Sequence, residues 1–333
     1  MKMRYLFQLM IALAVFAFVG QAAPDAAAQI NPTERAVTED SMFEALTGDT
    51  NAVSGRVSIP DRSAGNLIKP ENKSWAAFQG GTVQTLSIVA VVGMVVLLAL
   101  FYMIRGRIRV ESGFSGRKIL RFGTIDRFAH WTMAATFIIL ALTGLNLIIG
   151  SSVILPVFGE AAFGTVSAYG KLAHNYLAWP FMLALVLVFV LWVIDNIPNK
   201  LDLVWLKQGG GILKKGVHPP AKKFNAGQKV IFWAVILGGA GLSFTGIMML
   251  FPGLAGTPAD WQLYQVIHAL IAAGLTAIIV AHIYIGSIGM EGAFDAMGSG
   301  EVDENWAKEH HGLWVAEEQA KPAKDSALST PAE

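Results

Sequence analysis

The chain of 333 residues contains no cysteine. That excludes a protein-ligated iron–sulfur cluster, a C-x-x-C-H haem attachment, a disulfide framework and a thiolate nucleophile. Charge is scarce too: Asp, Glu, Lys and Arg make up 15% of the residues, against 54% hydrophobic ones. The apolar residues gather in blocks separated by polar, basic connectors, which is the composition of a membrane protein rather than a soluble one. There is no nucleotide motif and no inverted-repeat pattern of broken helices, so a primary transporter is disfavoured, and no nucleic-acid partner is expected. Any metal here must rely on His, Met, carboxylate or backbone oxygen; the twelve Met read as core filler.

The N-terminal "MKMRYLFQLMIALAVFAFVGQAAPDAAAQ" carries Lys2 and Arg4, a short apolar run and an A-x-A-like site. It reads as a signal peptide over 1–28, with an uncleaved anchor as the alternative. Residues 29–81 are polar and show no sustained helical or alternating pattern, as expected of an extracytoplasmic, periplasmic arm. Five blocks long enough to span a bilayer follow, at 82–104, 128–149, 172–194, 230–251 and 263–289. Tyr102, Trp131, Trp179, Trp192, Trp261 and Tyr284 sit near their ends, as an interfacial belt would place them. The expected fold is an all-α membrane protein. One additional N-terminal transmembrane helix (82–104) precedes a four-helix transmembrane bundle (105–290), and a tail (291–333) follows.

Seven basic residues lie between the first and second blocks, from Arg105 to Arg127, and seven between the third and fourth, from Lys200 to Lys229. The other two connectors hold only Lys171. The positive-inside rule puts the basic connectors and the tail in the cytoplasm, and the arm outside.

Four of the seven histidines fall in apolar blocks: His130, His174, His268 and His282. An imidazole in hydrocarbon costs free energy unless it finds partners. His268 and His282 are fourteen residues apart, about 21 Å along a helix and about 40° short of whole turns, so they share a face. By depth, His174 pairs with His268 near the outer face and His130 with His282 near the inner one. Paired imidazoles from facing helices of a bundle can take both axial positions of an iron, and two such pairs would hold two b-type haems. The bland alternative for each is a hydrogen-bonded helix contact. Zinc is disfavoured because the four do not converge at one depth. His218, His310 and His311 read as solvated surface.

In "KKFNAGQKVIFW" (222–233), Asn225 is a candidate helix N-cap and Gly227 a tolerated early position. Equally, Asn225 and Gln228 put amide donors at the membrane edge, where a quinone head group would need them. "LGGAGLSFTG" permits close approach of a helix or of a flat macrocycle. Arg127 and Lys171 are candidate partners for haem propionates or snorkelling edge residues, and Asp126 beside Arg127 reads as an interfacial ion pair.

With "RFGTIDRFAHW", "GKLAHNYLAWP", "KKFNAGQKVIFW" and "YQVIHALIAAGLTAIIVAHIYIGSI" in order over about 115–300, the chain resembles the gamma, or cytochrome b, subunit of respiratory membrane-bound formate dehydrogenases. The signal and extra span match its longer form. The resemblance implies a multi-pass subunit of the bacterial inner membrane. In it His174 and His268 ligate the outer haem b, and His130 and His282 the inner one. Asn225 and Gly227, with Gln228 beside them, line a pocket for menaquinone or ubiquinone. The implied partners are a molybdenum- or tungsten-pterin catalytic subunit and an iron–sulfur subunit that feeds the outer haem; the formate-oxidising site is in neither this chain nor its motifs. Rival readings are the cytochrome b of a hydrogenase or thiosulfate reductase, and a haem-free membrane anchor.

Overall fold

The computed structural model describes residues 75–212 and 216–320. The signal segment expected at 1–28, most of the arm at 29–81 and the last residues of the tail lie outside them. Two compact units divide the chain after Phe78. Of the first, only a helical turn with the Trp75 and Phe78 rings 6.2 Å apart is described. Everything below concerns the second, Gln79–Glu333. Its helical structure begins with a wide turn at Gln79–Val83, which takes in the last three residues of the stretch expected to be irregular.

Five long helices carry the apolar blocks: α1 (Gln84–Arg105), α2 (Thr124–Val153), α3 (Leu155–Trp192), α5 (Ala226–Leu250) and α6 (Pro258–Tyr284). The short α4 (Lys200–Lys207) lies between α3 and α5. Polar residues punctuate them. Asp126 Oδ2 accepts the Gly123 N–H at the start of α2, reciprocal Asn225 and Gln228 bonds open α5, and Thr257 with Asp260 opens α6, where Pro258 occupies the first turn. Gly106, at φ 67, ends α1.

Side-chain contacts set the packing. Trp192 reaches Asp126, Asn146 reaches Ser167, and a Cβ on Gly150 would meet Phe163, so α2 and α3 run antiparallel. Thr124–Trp192 is one apolar helical stretch of 69 residues folded back on itself, with Gly159 at φ 80 breaking the axis. The connector expected around 150–171 is therefore mostly helix. Antiparallel pairing also joins α5 to α6, where Gly238 faces Leu275 and Gly241 faces Ile271, and α3 to α5, where Gly239 faces Leu185 and Phe181. A Cβ at Gly239 or Gly241 would come within 2.9 Å of the neighbouring side chain, so these glycines of the "LGGAGLSFTG" run serve helix packing. The remaining faces are apolar and exposed, as at Val89 (61%) and Leu237 (66%), and lipid is the solvent that suits them. The protein crosses the membrane several times.

Both basic connectors and the tail meet at one end, called here the basic end. Arg105 Nε donates to the Ile212 carbonyl, and the Gly216 N–H donates to Glu111. The described part of the tail, up to residue 320, is a folded cap. Its strand β2 (Glu301–Asp303) pairs antiparallel with β1 (Lys118–Leu120), and Val302, opposite Ile119, is fully buried. Between the membrane and β2 lies α7 (Asp295–Gly298), and after it α8 (Glu304–Gln319). Three-residue strands separated by about half the chain leave no periodic signal, which is why this pair escapes a reading of the sequence.

At the centre of the cap Arg121 is buried against the faces of Phe122, Trp306 and Trp314, with its guanidinium carbon 5.0–5.6 Å from their centres. One of its nitrogens bonds the Lys223 carbonyl and approaches His311 Nε2 at 3.0 Å, while His311 Nδ1 lies 2.8 Å from the Lys222 carbonyl. A carbonyl can only accept, so Nδ1 carries the proton and Nε2 accepts from arginine. His311 is thus a neutral, 1% exposed latch between the second connector and α8, not the solvated residue its polar neighbourhood suggested. His310 is also largely enclosed, against Trp306 at 5.1 Å between ring centres. His218 stays half-exposed, 3.3 Å from Glu111.

Burial, reinforced by the Arg121 charge, holds His311 well below the usual imidazole value, and burial takes His310 to about 4. A folded-state value below the unfolded one means that the unlatched cap binds protons more readily. The latch is at full strength above about pH 6.5 and weakens as pH falls below it. Hydrogen exchange in α8, corrected for intrinsic rates, is expected to speed up on acidification from about pH 7.5 to about pH 5.5; unchanged protection would contradict the latch.

Candidate functional site

The structure brings the four membrane histidines into two pairs. His174 on α3 and His268 on α6 have ring centres 6.2 Å apart, and His130 on α2 and His282 on α6 are also 6.2 Å apart. The second pair lies toward the basic end, where Trp131 donates to the Met297 carbonyl of the cap. The first lies toward the opposite end. α6 contributes to both pairs, α2 and α3 to one each, and α5 to neither.

Neither pair is in hydrogen-bond contact: the rings stand apart, tilted by 59° and 63°. A metal–imidazole bond is about 2.0 Å, and about 1 Å more separates each nitrogen from its ring centre, so two axial imidazoles on one iron stand about 6 Å apart. The observed spacing fits that requirement at both depths. Ring nitrogens fit as well. His174 Nδ1 and His268 Nδ1 each lie 2.8 Å from a threonine hydroxyl, Thr143 and Thr245. His130 Nδ1 is buried with no partner at all. No cluster of three or more acidic or imidazole groups that could hold a bare metal ion occurs among the described residues.

The other candidates are engaged locally. Asn225 Oδ1 accepts the Gln228 N–H at 2.9 Å and Gln228 Oε1 accepts the Asn225 N–H at 3.1 Å, a reciprocal cap on α5. A Cβ on Gly227 would meet the Trp205 indole at 2.9 Å, so α4 packs across this first turn. Nearby, buried Lys229 ties α5 to α4 through Asp202 and to the Ile197 carbonyl, both at 3.0 Å. The amide nitrogens of Asn225 and Gln228 remain as donors at this edge.

Arg127 donates to the Gly298 carbonyl at 2.7 Å and so belongs to the cap. Lys171 is exposed on α3, three residues before His174. Asp126 forms no ion pair with Arg127; its carboxylate caps α2 and accepts the Trp192 indole N–H at 2.6 Å. Trp192 and Tyr284 are accordingly buried rather than part of an interfacial belt. Thr143 and Thr245 went unread in the sequence, though each precedes a glycine in an otherwise apolar run and "LTG" and "FTG" recur at matching depths.

The family model for prokaryotic cytochrome b561 matches residues 121–300, which span α2 to α7. The chain is similar to the Escherichia coli (strain K12) formate dehydrogenase, nitrate-inducible, cytochrome b556(Fdn) subunit, at 33% identity over 63% of this chain and 96% of that protein. It is 26% identical to the Escherichia coli (strain K12) formate dehydrogenase, cytochrome b556(fdo) subunit, over 60% of this chain and 92% of that one. With the Haemophilus influenzae formate dehydrogenase, cytochrome b556 subunit, it shares 28% identity over 64% and 88%.

Replacing Asn225 with Ala is expected to cost about 1 kcal/mol of stability through the lost cap. Thermal unfolding in detergent should show it, with Asn225→Asp close to wild type.

Proposed function

Because the chain belongs to the prokaryotic cytochrome b561 family, among the cytochrome b subunits of formate dehydrogenases, we propose that it carries electrons through two b haems to a membrane quinone. The donor in this reading is an iron–sulfur subunit of the same complex, itself fed by a molybdenum- or tungsten-pterin catalytic subunit. One observation carries the two-haem reading: two histidine pairs with the same 6.2 Å spacing, built on a shared helix. Bound there, the haems supply one-electron redox chemistry at two depths.

The chain's own residues do the rest. His174 and His268 form one pair at the opposite end, their Nδ1 atoms engaged by threonine hydroxyls so that Nε2 is the nitrogen that would hold the iron, and His130 with His282 form the second pair about 21 Å along α6. Apolar faces of α2, α3, α5 and α6 exclude water between them. At the basic end the Asn225 and Gln228 amide nitrogens are the donors offered to a quinone carbonyl, and Gly227 lets α4 close on that turn. By the positive-inside rule the basic end faces the cytoplasm, so the arm is periplasmic, the tail is cytoplasmic and protons for quinol come from the cytoplasm.

The cytochrome b of a hydrogenase or thiosulfate reductase would share the scaffold, but the relatives above are named as formate dehydrogenase subunits. A haem-free anchor would use its histidines for hydrogen bonds between helices, as His174 and His268 make to Thr143 and Thr245, but it gives no reason for two pairs at the same 6.2 Å spacing or for a buried His130 Nδ1 without a partner.

His174→Ala or His268→Ala is expected to remove one haem of two and spare the other in a pyridine haemochrome assay; retention of both would refute the pairing. Asn225→Asp keeps the cap but replaces the amide donor with an acceptor. It should slow quinone reduction by the complex while leaving both haems reducible by dithionite, and a wild-type rate would remove Asn225 from the quinone site.

A further inference from the structure

The two histidine pairs are held differently. At the opposite end, Thr143 Oγ1 of α2 lies 2.8 Å from His174 Nδ1 of α3, and Thr245 Oγ1 of α5 lies 2.8 Å from His268 Nδ1 of α6. Each hydroxyl has a single proton, and each has a carbonyl one turn back to receive it, Ile139 or Gly241, at 2.7 Å. The oxygen is then left to accept, so the proton shared with the ring belongs to Nδ1 and the lone pair stays on Nε2. The next residue repeats as well: a Cβ on Gly144 would lie 3.4 Å from His174 Cε1, and one on Gly246 3.5 Å from His268 Cε1. The same threonine–glycine device thus serves both rings, once in each helical hairpin. At the basic end no such device exists among the described residues: His130 Nδ1 is buried without a partner, and no hydroxyl bonds His282.

We propose that Thr143 and Thr245 are positioning residues that fix the tautomer and ring orientation of His174 and His268, and thereby give the iron between them a lower reduction potential than the iron between His130 and His282. The inference rests on the two-haem reading above. An imidazole that donates from Nδ1 is a more basic ligand at Nε2, and a more basic ligand favours ferric over ferrous iron. With both ligands of one pair held this way and the His130 ring of the other not, the difference runs in one direction. Transfer from the threonine-held pair toward the basic end is then downhill, the direction a quinone-reducing chain needs. Valine is the sharp substitution, because it keeps the branched shape and removes the hydroxyl.

The test is potentiometric titration of the intact, detergent-solubilised complex, following the reduced b-type band, with electron paramagnetic resonance of the ferric low-spin signals. Wild type should titrate as two components, and His174→Ala should abolish the lower one. Thr143→Val and Thr245→Val should each keep two haems and raise the midpoint of the lower component alone, with a change in its resonance signal. Thr143→Ser and Thr245→Ser should restore wild-type values. If the valine variants retain both haems with unmoved midpoints, or the upper component shifts instead, the inference is overturned. If a valine variant loses its haem, the serine variant decides: haem at the wild-type midpoint supports the hydroxyl, and a shifted midpoint or an empty site overturns it. Failure of the two-haem reading looks different, since wild type would then lack two components or His174→Ala would spare both.

Discussion

An imidazole inside hydrocarbon has two nitrogens to satisfy, and the bundle has to place four of them; Thr143 and Thr245 hold one nitrogen of His174 and of His268, while His130 Nδ1 is left without a hydrogen-bond partner. Left unpartnered, each polar nitrogen would cost on the order of 1–3 kcal/mol. Hydrogen-bonding the histidines to one another would be the simple solution, yet both pairs are held 6.2 Å apart between ring centres. Holding them apart requires rigid helices, and close glycine contacts supply the rigidity. Gly239 against Leu185 and Phe181, and Gly241 against Ile271, lock α5 to α3 and α6 with little slack. α5 therefore bears no membrane histidine of its own yet sets the positions of α3 and α6, which bear three.

The basic end solves a different problem with the same economy. Two connectors rich in Lys and Arg must leave the membrane without repelling each other. Backbone carbonyls and acidic groups absorb that charge: Ile212 and Lys223 carbonyls take Arg105 and Arg121, Asp195 takes Lys223, and Glu317 takes Lys222. Arg121 is buried among three aromatic rings with no carboxylate partner, which only a dense, cation–π-rich pocket tolerates. His311 completes the pocket because a neutral ring can accept from arginine on one nitrogen and donate to a carbonyl on the other. The cap thus fixes the start of α2, and with it the residues leading to His130.

What could be read beforehand divides along physical lines. Long apolar runs, the rotation and depth of His268 and His282, and the Asn225 cap are local or periodic, so the pairs His174–His268 and His130–His282 are legible in the sequence. Tertiary partners are not. Thr143 and Thr245 look like ordinary helix-interior residues until α3 and α6 bring imidazoles to them. His310 and His311 sit in a polar sequence whose burial depends on Trp306, Trp314 and a distant Arg121. The β1–β2 pair, and the reassignment of Asp126 from an ion pair to the Trp192 anchor, likewise depend on contacts distant in sequence.

A shared rail has a consequence for how the two pairs can differ. Because His268 and His282 belong to one helix, any shift of α6 along its axis would move both rings together and could not tune one against the other. Independent adjustment has to come from the partner helices and from what each ring's outer nitrogen touches. The pair nearer the cap inherits its setting from α2, whose approach is tied to the Gly300 carbonyl by the Arg121 and Phe122 N–H groups and whose first turn is tied to α7 by Arg127. The pair at the other end is set by hydroxyls inside the bilayer, out of reach of the cap. The two histidine pairs are therefore separately adjustable on a common support, the nearer one through the contacts of the cap and the farther one through its own threonines.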